Sequence, residues 1–209
     1  MLRVLIADDH EIVRRGIKQI LQEEYSFAHF DEAADTSTLI DKAISGGWDI
    51  IVSDLAMPGG GGLHALQQIS QHAPGIPILI LSIYPEEQYA ARVMKAGAVG
   101  YLNKDAAPDE LVNAVQNILS GRKYVTESVA QQLSITTRRS AGRAMHELLS
   151  EREFMVFSLI ITGASVAGIA EKLSLSGTTI STYRSRILTK MNVQNNAGLI
   201  QYAVQNGLI

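Results

Sequence analysis

Residues 49–58 read DIIVSDLAMP, and that stretch decides the fold. A short, nearly unbroken apolar run suits a parallel strand buried on both faces. A carboxylate, Asp54, set between that run and a Met-Pro turn serves no packing purpose. Three more runs share the design: RVLIA at 3–7 leads into Asp8-Asp9, PILILS at 77–82 ends in Ser82, and AVGYL at 98–102 leads into Lys104. A fifth, less apolar strand is expected near Ser26–Asp31. Between the strands lie segments of helical period: Glu11–Gln22, with Ile12, Ile17, Ile20 and Leu21 expected on its inward face, then Thr38–Ser45, Leu63–His72, Glu86–Ala96 and Pro108–Leu119. Gly46-Gly47, Pro74-Gly75 and Gly97 punctuate helix ends. Alternating strand and helix predict an α/β fold, a five-stranded doubly wound parallel sheet over residues 1–122. In such a sheet chemistry collects at the carboxyl ends of the strands, and that is where these polar residues fall.

The whole chain has 209 residues, no Cys and a net charge of −3. Lack of Cys removes disulfides and thiolate metal sites and suits a reducing cytosol. No apolar run approaches the roughly 18 residues of a membrane span. The charge is unevenly divided. Residues 1–120 carry 8 Lys+Arg against 16 Asp+Glu, net −8, whereas residues 121–209 carry 10 against 5, net +5. An acidic half joined to a basic half points to a cation-binding module tied to a polyanion-binding one.

Asp8-Asp9 alone could equally cap the following helix. Three carboxylates drawn together would repel one another and raise their pKa values unless a cation intervenes. Mg²⁺ suits that role, because it takes hard oxygen ligands and typically joins one or two carboxylates to a phosphate. Lys104 supplies a second positive group and Ser82 a donor for a phosphoryl oxygen. Other phosphate chemistries fit poorly. A haloacid-dehalogenase phosphatase wants Asp-x-Asp after the first strand, but here the pair is adjacent and followed by His10, which reads as a local loop residue. A P-loop wants Gly-x4-Gly-Lys-Ser/Thr, and the glycines at 59–62 lead instead into Leu63-His64, reading as a flexible connection. No GxGxxG follows the first strand, and the five His show no metal-ligand spacing.

On these residues the first 122 positions resemble the receiver domain of two-component response regulators, a flavodoxin-like fold. The resemblance implies that Asp8 and Asp9 are the acidic pair, Asp54 the phosphoacceptor, Ser82 the switch hydroxyl, Lys104 the conserved-type lysine and Tyr101 the rotating switch aromatic. It also implies Mg²⁺ on Asp8, Asp9, Asp54 and the backbone carbonyl of Ala56. It further suggests a cis Lys104–Asp105 peptide, although Asp105 stands where proline is common and a cis bond there costs about 3–4 kcal/mol. Ala56 and Tyr84, two positions after Asp54 and Ser82, carry no acid or amide to orient a hydrolytic water.

Residues 123–146 read as a linker, with a short helix expected at 127–133 and a polar, basic stretch at 136–142. Beyond it, Ser150-Glu-Arg-Glu153 forms a capping box with Leu149 as its staple. Helices are expected to about Thr162, over Val166–Leu173, Gly177–Met191 and Ala197–Asn206. The short turn Ser174–Ser176 makes the middle pair a helix-turn-helix. On the Gly177–Met191 helix, Ile180, Tyr183, Ile187 and Met191 point inward. Ser181, Thr182, Ser185, Arg186 and Thr189 point outward, where hydroxyls allow close approach to base edges. Arg184, Arg186 and Lys190 flank them for phosphates. A small helical interaction domain with a solvated face remains an alternative on these features alone. The run LSEREF…IAEKLSLSGTTISTYRSRILTKMNV closely resembles the LuxR-type four-helix DNA-binding domain over residues 147–209. Together the halves resemble a NarL/FixJ-class response regulator, although base-reading positions hold Ser181, Thr182 and Ser185 rather than a lysine.

The expected protein is therefore a cytoplasmic, phosphorylation-switched transcription regulator and not an enzyme. Its expected partners are a histidine kinase, duplex DNA, a second copy of itself when phosphorylated and RNA polymerase, with no membrane. A metal-dependent phosphohydrolase with a helical accessory domain is the rival, and it predicts turnover of exogenous phosphoesters. A regulator whose output is protein binding is a third reading, favoured if no DNA is retained at low salt.

Overall fold

A computed structural model describes residues 1–126, 129–130 and 144–209. The chain divides into two compact units, residues 1–136 and 137–209.

The first unit alternates β1 (Arg3–Ala7), α1 (Glu11–Glu24), β2 (His29–Ala33), α2 (Thr36–Ser45), β3 (Ile50–Asp54), α3 (Gly62–His72), β4 (Ile78–Ser82), α4 (Glu86–Lys95), β5 (Gly100–Asn103) and α5 (Ala107–Leu119). All neighbouring strands are parallel, in the order β2-β1-β3-β4-β5. Strand order reverses between β1 and β3, so the carboxyl ends of those two strands flank the expected crevice. Every residue of β3 and β4 is buried, which is why those strands read as continuous apolar runs.

Two expectations shift here. The second strand begins at His29 rather than Ser26, and Phe27 before it is exposed. As an edge strand that is only partly buried, β2 lacks the apolar signal of the central three. Ile12 is 78% exposed, so the inward face of α1 is Val13, Ile17, Ile20 and Leu21, one position round from the set expected. Since α1 starts at Glu11, Ile12 lies in its first turn, on the solvent side of the arc that meets the sheet.

The glycine run at 59–62 is a shaped connection rather than a loose one. Gly59, Gly60 and Gly61 take φ of +90°, +128° and +83°, which other residues rarely adopt. A Cβ on Gly62 would lie 2.7 Å from the Asp54 carbonyl oxygen. Thr36, buried at the start of α2, accepts a hydrogen bond from the Gly61 N–H and donates its own N–H to the Pro58 carbonyl.

The second unit holds a 3₁₀ turn (Met145–Leu148), then α6 (Glu151–Ile161), α7 (Val166–Lys172), α8 (Gly177–Lys190) and α9 (Asn196–Gln205). Ser150 and Glu153 close the capping box reciprocally, and Leu149 is buried beside it. Ser165, Ser176 and Asn195 cap the next three helices by accepting a backbone N–H three residues on. The core is built from α6 (Phe154, Phe157, Ile160 and Ile161), with Ile169, Ile180, Ile187, Met191 and Leu199 from the helices that follow. Of the linker, positions 127–128 and 131–143, which hold most of the expected 127–133 helix, lie outside the described residues.

Candidate functional site

Parallel strands of similar length deliver their last residues to one edge, so β1, β3, β4 and β5 bring Asp8, Asp54, Ser82 and Lys104 together. Asp8 and Ser82 are fully buried and Asp54 nearly so. The Lys104 ammonium lies 2.6 Å from Asp8 Oδ2 and 3.2 Å from Asp54 Oδ1, joining two strand ends that are 46 residues apart in sequence. Burial pushes the Asp54 carboxyl above the usual carboxylate range, with the Asp8 charge adding to it and Lys104 and the Ala56 N–H opposing it. Burial alone would lower Lys104, but the Asp54 and Asp8 carboxylates outweigh it and hold the ammonium above its ordinary value.

Asp9 is more open, and its Oδ1 lies 2.8 Å from His10 Nδ1. The His10 backbone N–H donates to Asp8 Oδ1. Ligand-type atoms of Asp8, Asp9 and His10 fall within 4.8 Å of one another. Hard carboxylate oxygens gathered beside a carboxyl whose ionisation is disfavoured are a donor set that a divalent cation fits. One ammonium cannot neutralise three carboxylates, which leaves a role for such an ion.

Sequence reasoning missed Arg14. Its Nη1 donates to the Asp8 carbonyl at 2.8 Å and its Nε to Glu32 Oε2 at 2.8 Å, so α1 grips the main chain of the acidic pair. A half-hidden arginine next to Val13 on the inward arc is a signal that periodicity could have raised.

The peptide between Lys104 and Asp105 is trans, against the cis bond expected, since no cis peptide occurs among the described residues. The Asn103 side chain instead caps a 3₁₀ turn over Lys104–Ala106 by accepting from the Asp105 N–H at 2.9 Å. Lys104 reaches both carboxylates from that trans geometry, so the penalty for a non-proline cis bond is avoided.

Tyr101 already points inward. It is buried, and its hydroxyl donates to the Tyr84 carbonyl at 2.8 Å. Burial pushes its phenol pKa well up. The Tyr84 N–H in turn donates to Ser82 Oγ at 3.2 Å, and the Tyr84 ring stacks on Tyr89 with centroids 4.8 Å apart.

In the second unit, Ile180 and Ile187 are buried on α8, Met191 is buried at its C-cap and Tyr183 is half-buried, while Ser181, Thr182, Ser185, Arg186 and Thr189 are exposed. Three hydroxyls bond back along the helix: Ser181 to the Gly177 carbonyl, Thr182 to Thr178 and Thr189 to Ser185. Their donor protons are thus committed and their oxygens face outward as acceptors. The flanking cations are less uniform than expected. Arg186 is exposed, but Arg184 Nε donates to Asn196 Oδ1 at 2.7 Å and Lys190 Nζ to Glu153 Oε2 at 2.6 Å. Lys190 and Arg184 therefore tie α8 to its neighbours instead of standing clear for phosphates.

Comparison with known proteins agrees with both halves. Residues 4–116 match the family described as response regulator receiver domain, and residues 147–203 the family described as bacterial regulatory proteins, luxR family. Response regulator UvrY of Escherichia coli K12 is 35% identical over 100% of this chain and 96% of its own length. Response regulator GacA of Pseudomonas aeruginosa is 31% identical over 100% of this chain and 98% of its own. Among solved structures, RcsB of Salmonella enterica serovar Typhimurium, bound to a promoter in the presence of the phosphomimetic BeF3⁻, is 29% identical over 98% of each chain, with a TM-score of 0.59. An RcsB–DNA complex is 30% identical over 97% of this chain and 98% of that one, with a TM-score of 0.58. With strand-end chemistry, helix-turn-helix and full-length relatives in agreement, the chain belongs to the response regulators, its first domain a receiver and its second a helix-turn-helix domain of the luxR family.

Proposed function

We propose that this protein is a transcription regulator whose DNA binding is switched by phosphorylation of Asp54. The observation that carries the reading is the position of Lys104 Nζ between Asp8 Oδ2 and Asp54 Oδ1 at the carboxyl edge of the sheet. A phosphohistidine on a histidine kinase, or a small phosphodonor, gives up its phosphoryl group. The donor P–N or P–O bond breaks with its electron pair leaving on the donor, and a P–O bond forms to an Asp54 carboxylate oxygen. A bound Mg²⁺ would be held by Asp8, Asp9, Asp54 and the Ala56 carbonyl and would supply positive charge against that developing on the transferred group. Lys104 offsets the same charge from the other side, and Arg14 keeps the Asp8 main chain in place.

Ser82 then turns its hydroxyl to the phosphoryl oxygen, taking with it the β4–α4 segment, whose Tyr84 carbonyl accepts from the hydroxyl of the inward Tyr101 on β5. Reversing a 1:99 equilibrium takes about 5.5 kcal/mol of differential interaction. Two or three charge-assisted hydrogen bonds of about 1.5–3 kcal/mol each meet that scale.

The output is the exposed face of α8, laid in the major groove of duplex DNA by a homodimer with half-sites about 10 bp apart. Ser181, Thr182 and Ser185 meet base edges and Arg186 a phosphate. Several observations support this: RcsB is bound to DNA in solved relatives, and in one such structure two RcsB dimers occupy two DNAs. RNA polymerase is a further partner of such a regulator. We place the receiver at 1–122, the linker at 123–146 and the DNA-binding domain at 147–209. No helix among the described residues is long and apolar enough to cross a membrane, and a cytoplasmic location follows from a DNA target.

Exposure to acetyl phosphate with Mg²⁺ tests the core of this reading. One phosphoryl per chain is expected, and none on Asp54→Ala. Undiminished labelling of that variant, or steady turnover of added phosphoesters, would overturn it in favour of another acceptor or a phosphohydrolase.

A further inference from the structure

Beyond α5 the chain does not leave the receiver at once. Gly121, at φ +78°, turns it, with its N–H on the Ile118 carbonyl and the Arg122 N–H on Asn117. Tyr124 then lies parallel to β5 as a one-residue bridge to Gly100. The Tyr124 N–H donates to the Val99 carbonyl at 3.0 Å, and the Tyr124 carbonyl accepts from the Tyr101 N–H at 2.9 Å. Its phenol hydrogen-bonds Glu110 on α5. Two residues on, the Thr126 N–H donates to Glu86 Oε1 in the first turn of α4 at 2.8 Å. The segment lies so close over β5 that a Cβ on Gly100 would meet Tyr124 Cβ at 3.2 Å and the side chains of Ile118 and Leu79 at 2.9 Å. An otherwise open sheet edge is thus closed by the first residues of the linker.

Both ends of this clamp lead back to the phosphorylation site. Tyr101 holds the strap through its N–H and the β4–α4 loop through its hydroxyl, on the Tyr84 carbonyl. Tyr84 holds Ser82 Oγ, and Glu86, which holds Thr126, lies four residues after Ser82.

We propose that residues 122–126 are a strap that carries the state of Asp54 to the DNA-binding domain, clamped by Glu86 and Tyr101 in the unphosphorylated receiver and released when the β4–α4 segment closes on the phosphoryl. This rests on Asp54 being the phosphoacceptor. The strap is held by main-chain bonds and two carboxylates, so a small displacement of one loop breaks a defined set of contacts. That is a two-state element biased by the site, which a coupling claim requires.

Hydrogen exchange on the full chain, with and without beryllofluoride and Mg²⁺, tests it. In the wild type the Tyr101, Tyr124 and Thr126 amides should exchange at least tenfold faster with beryllofluoride, and in Asp54→Ala they should not respond. Glu86→Ala should show fast Thr126 exchange without beryllofluoride and should take phosphoryl from acetyl phosphate at the wild-type rate, yet show a reduced change in DNA affinity on phosphorylation. Gly100→Ala should displace the strap more strongly, and Glu86→Ala remains informative should that variant fail to fold. If beryllofluoride alters the amides of residues 82, 83, 84 and 86 but leaves those of 124 and 126 unchanged, the strap is not the coupling element and the phosphoacceptor reading stands. If it alters neither, the reading of Asp54 falls and the strap with it.

Discussion

Lys190, at the end of the helix proposed to read DNA, places its ammonium 2.6 Å from Glu153 Oε2 in the first turn of α6. The same carboxylate oxygen accepts the Ser150 N–H at 2.8 Å, so one buried side chain closes the capping box and anchors α8. Burial would raise the Glu153 carboxyl, but Lys190 and the Ser150 N–H outweigh it and hold it below the usual range.

Because that pKa is depressed, the pair's stabilisation is fully present above the ordinary carboxylate value of about 4.3 and is lost as pH falls through the lower folded value. Lys190 is half-open to water, which screens the pair. Glu153→Gln should therefore cost the second domain about 1–2 kcal/mol near neutral pH and little below pH 3. Urea unfolding of a 147–209 fragment, followed by circular dichroism across that range, checks it. Lys190→Ala should show the same stability loss. Of the three cations expected from sequence to meet phosphates, Arg186 is the one whose replacement by Ala should lower the salt slope of DNA binding, by about one.

Asp54 makes the opposite prediction. Its folded pKa is raised, so the fold favours the protonated form, and its contribution to stability declines as pH rises past the ordinary carboxylate value. Near neutral pH the ionised, buried carboxylate destabilises the receiver. Asp54→Asn keeps the shape and removes the charge, leaving Lys104 its 2.6 Å bond to Asp8. Thermal unfolding should show a gain of about 0.5–2 kcal/mol alongside complete loss of phosphoryl labelling, the trade expected where a site is strained for function. A variant that is less stable than wild type at pH 7 contradicts this.

What the sequence disclosed and what it hid have a common physical cause. Strands β1, β3 and β4 are legible because central parallel strands are buried on both faces, and β5, though at the edge, because most of it is buried as well; the polar ends of all four stand out against these runs. The edge strand β2, only partly buried, begins about three residues later than its residue pattern suggests. A 100° period does not say where a helix begins to meet the sheet, so by period alone Ile12 falls on the inward face. The proximity of Asp8, Asp54, Ser82 and Lys104 followed from strand order alone. Arg14, Thr36 and the Tyr124 bridge did not, because each acts through backbone groups whose position depends on the finished fold. Lys190 and Glu153, 37 residues apart, look in sequence like two ordinary surface charges.

Lifetime of the phosphoryl group is set by what borders its path to water. Tyr84 is 8% exposed, stacked on Tyr89 and tied to Ser82 Oγ through its N–H, so its ring is held in place two positions beyond Ser82. Ala56 offers no side-chain acceptor on the other side. Neither residue supplies an acid or amide to orient a water for attack on the acyl phosphate. Slow self-dephosphorylation is expected, and an Ala56→Asn, Tyr84→Glu variant should lose the group at least several-fold faster. Release of phosphate from purified phosphoprotein measures it, and an equal rate in the variant would show that these side chains do not control water.

Thr182 should govern discrimination between bases rather than affinity for DNA at large. Its hydroxyl proton is given to the Thr178 carbonyl at 3.0 Å, so what it presents outward is an acceptor. In the major groove the base donors are the N6 amino group of adenine and the N4 amino group of cytosine. Thr182→Val keeps the methyl and the shape and returns to the helix a carbonyl that its i→i+4 bond already satisfies. Folding should therefore change by less than about 0.5 kcal/mol, as surface substitutions do. Preference for the amino-bearing base at the contacted position should fall by about 1 kcal/mol, the lower end of what one specific contact supplies. Binding to non-specific duplex, and its dependence on salt, should be unchanged, because no phosphate contact has been touched. Selection of bound duplexes from a random pool, run in parallel with wild-type protein and the variant, reads this directly. Loss of affinity for all duplexes alike would assign Thr182 to the backbone and leave Ser181 and Ser185 to read the sequence.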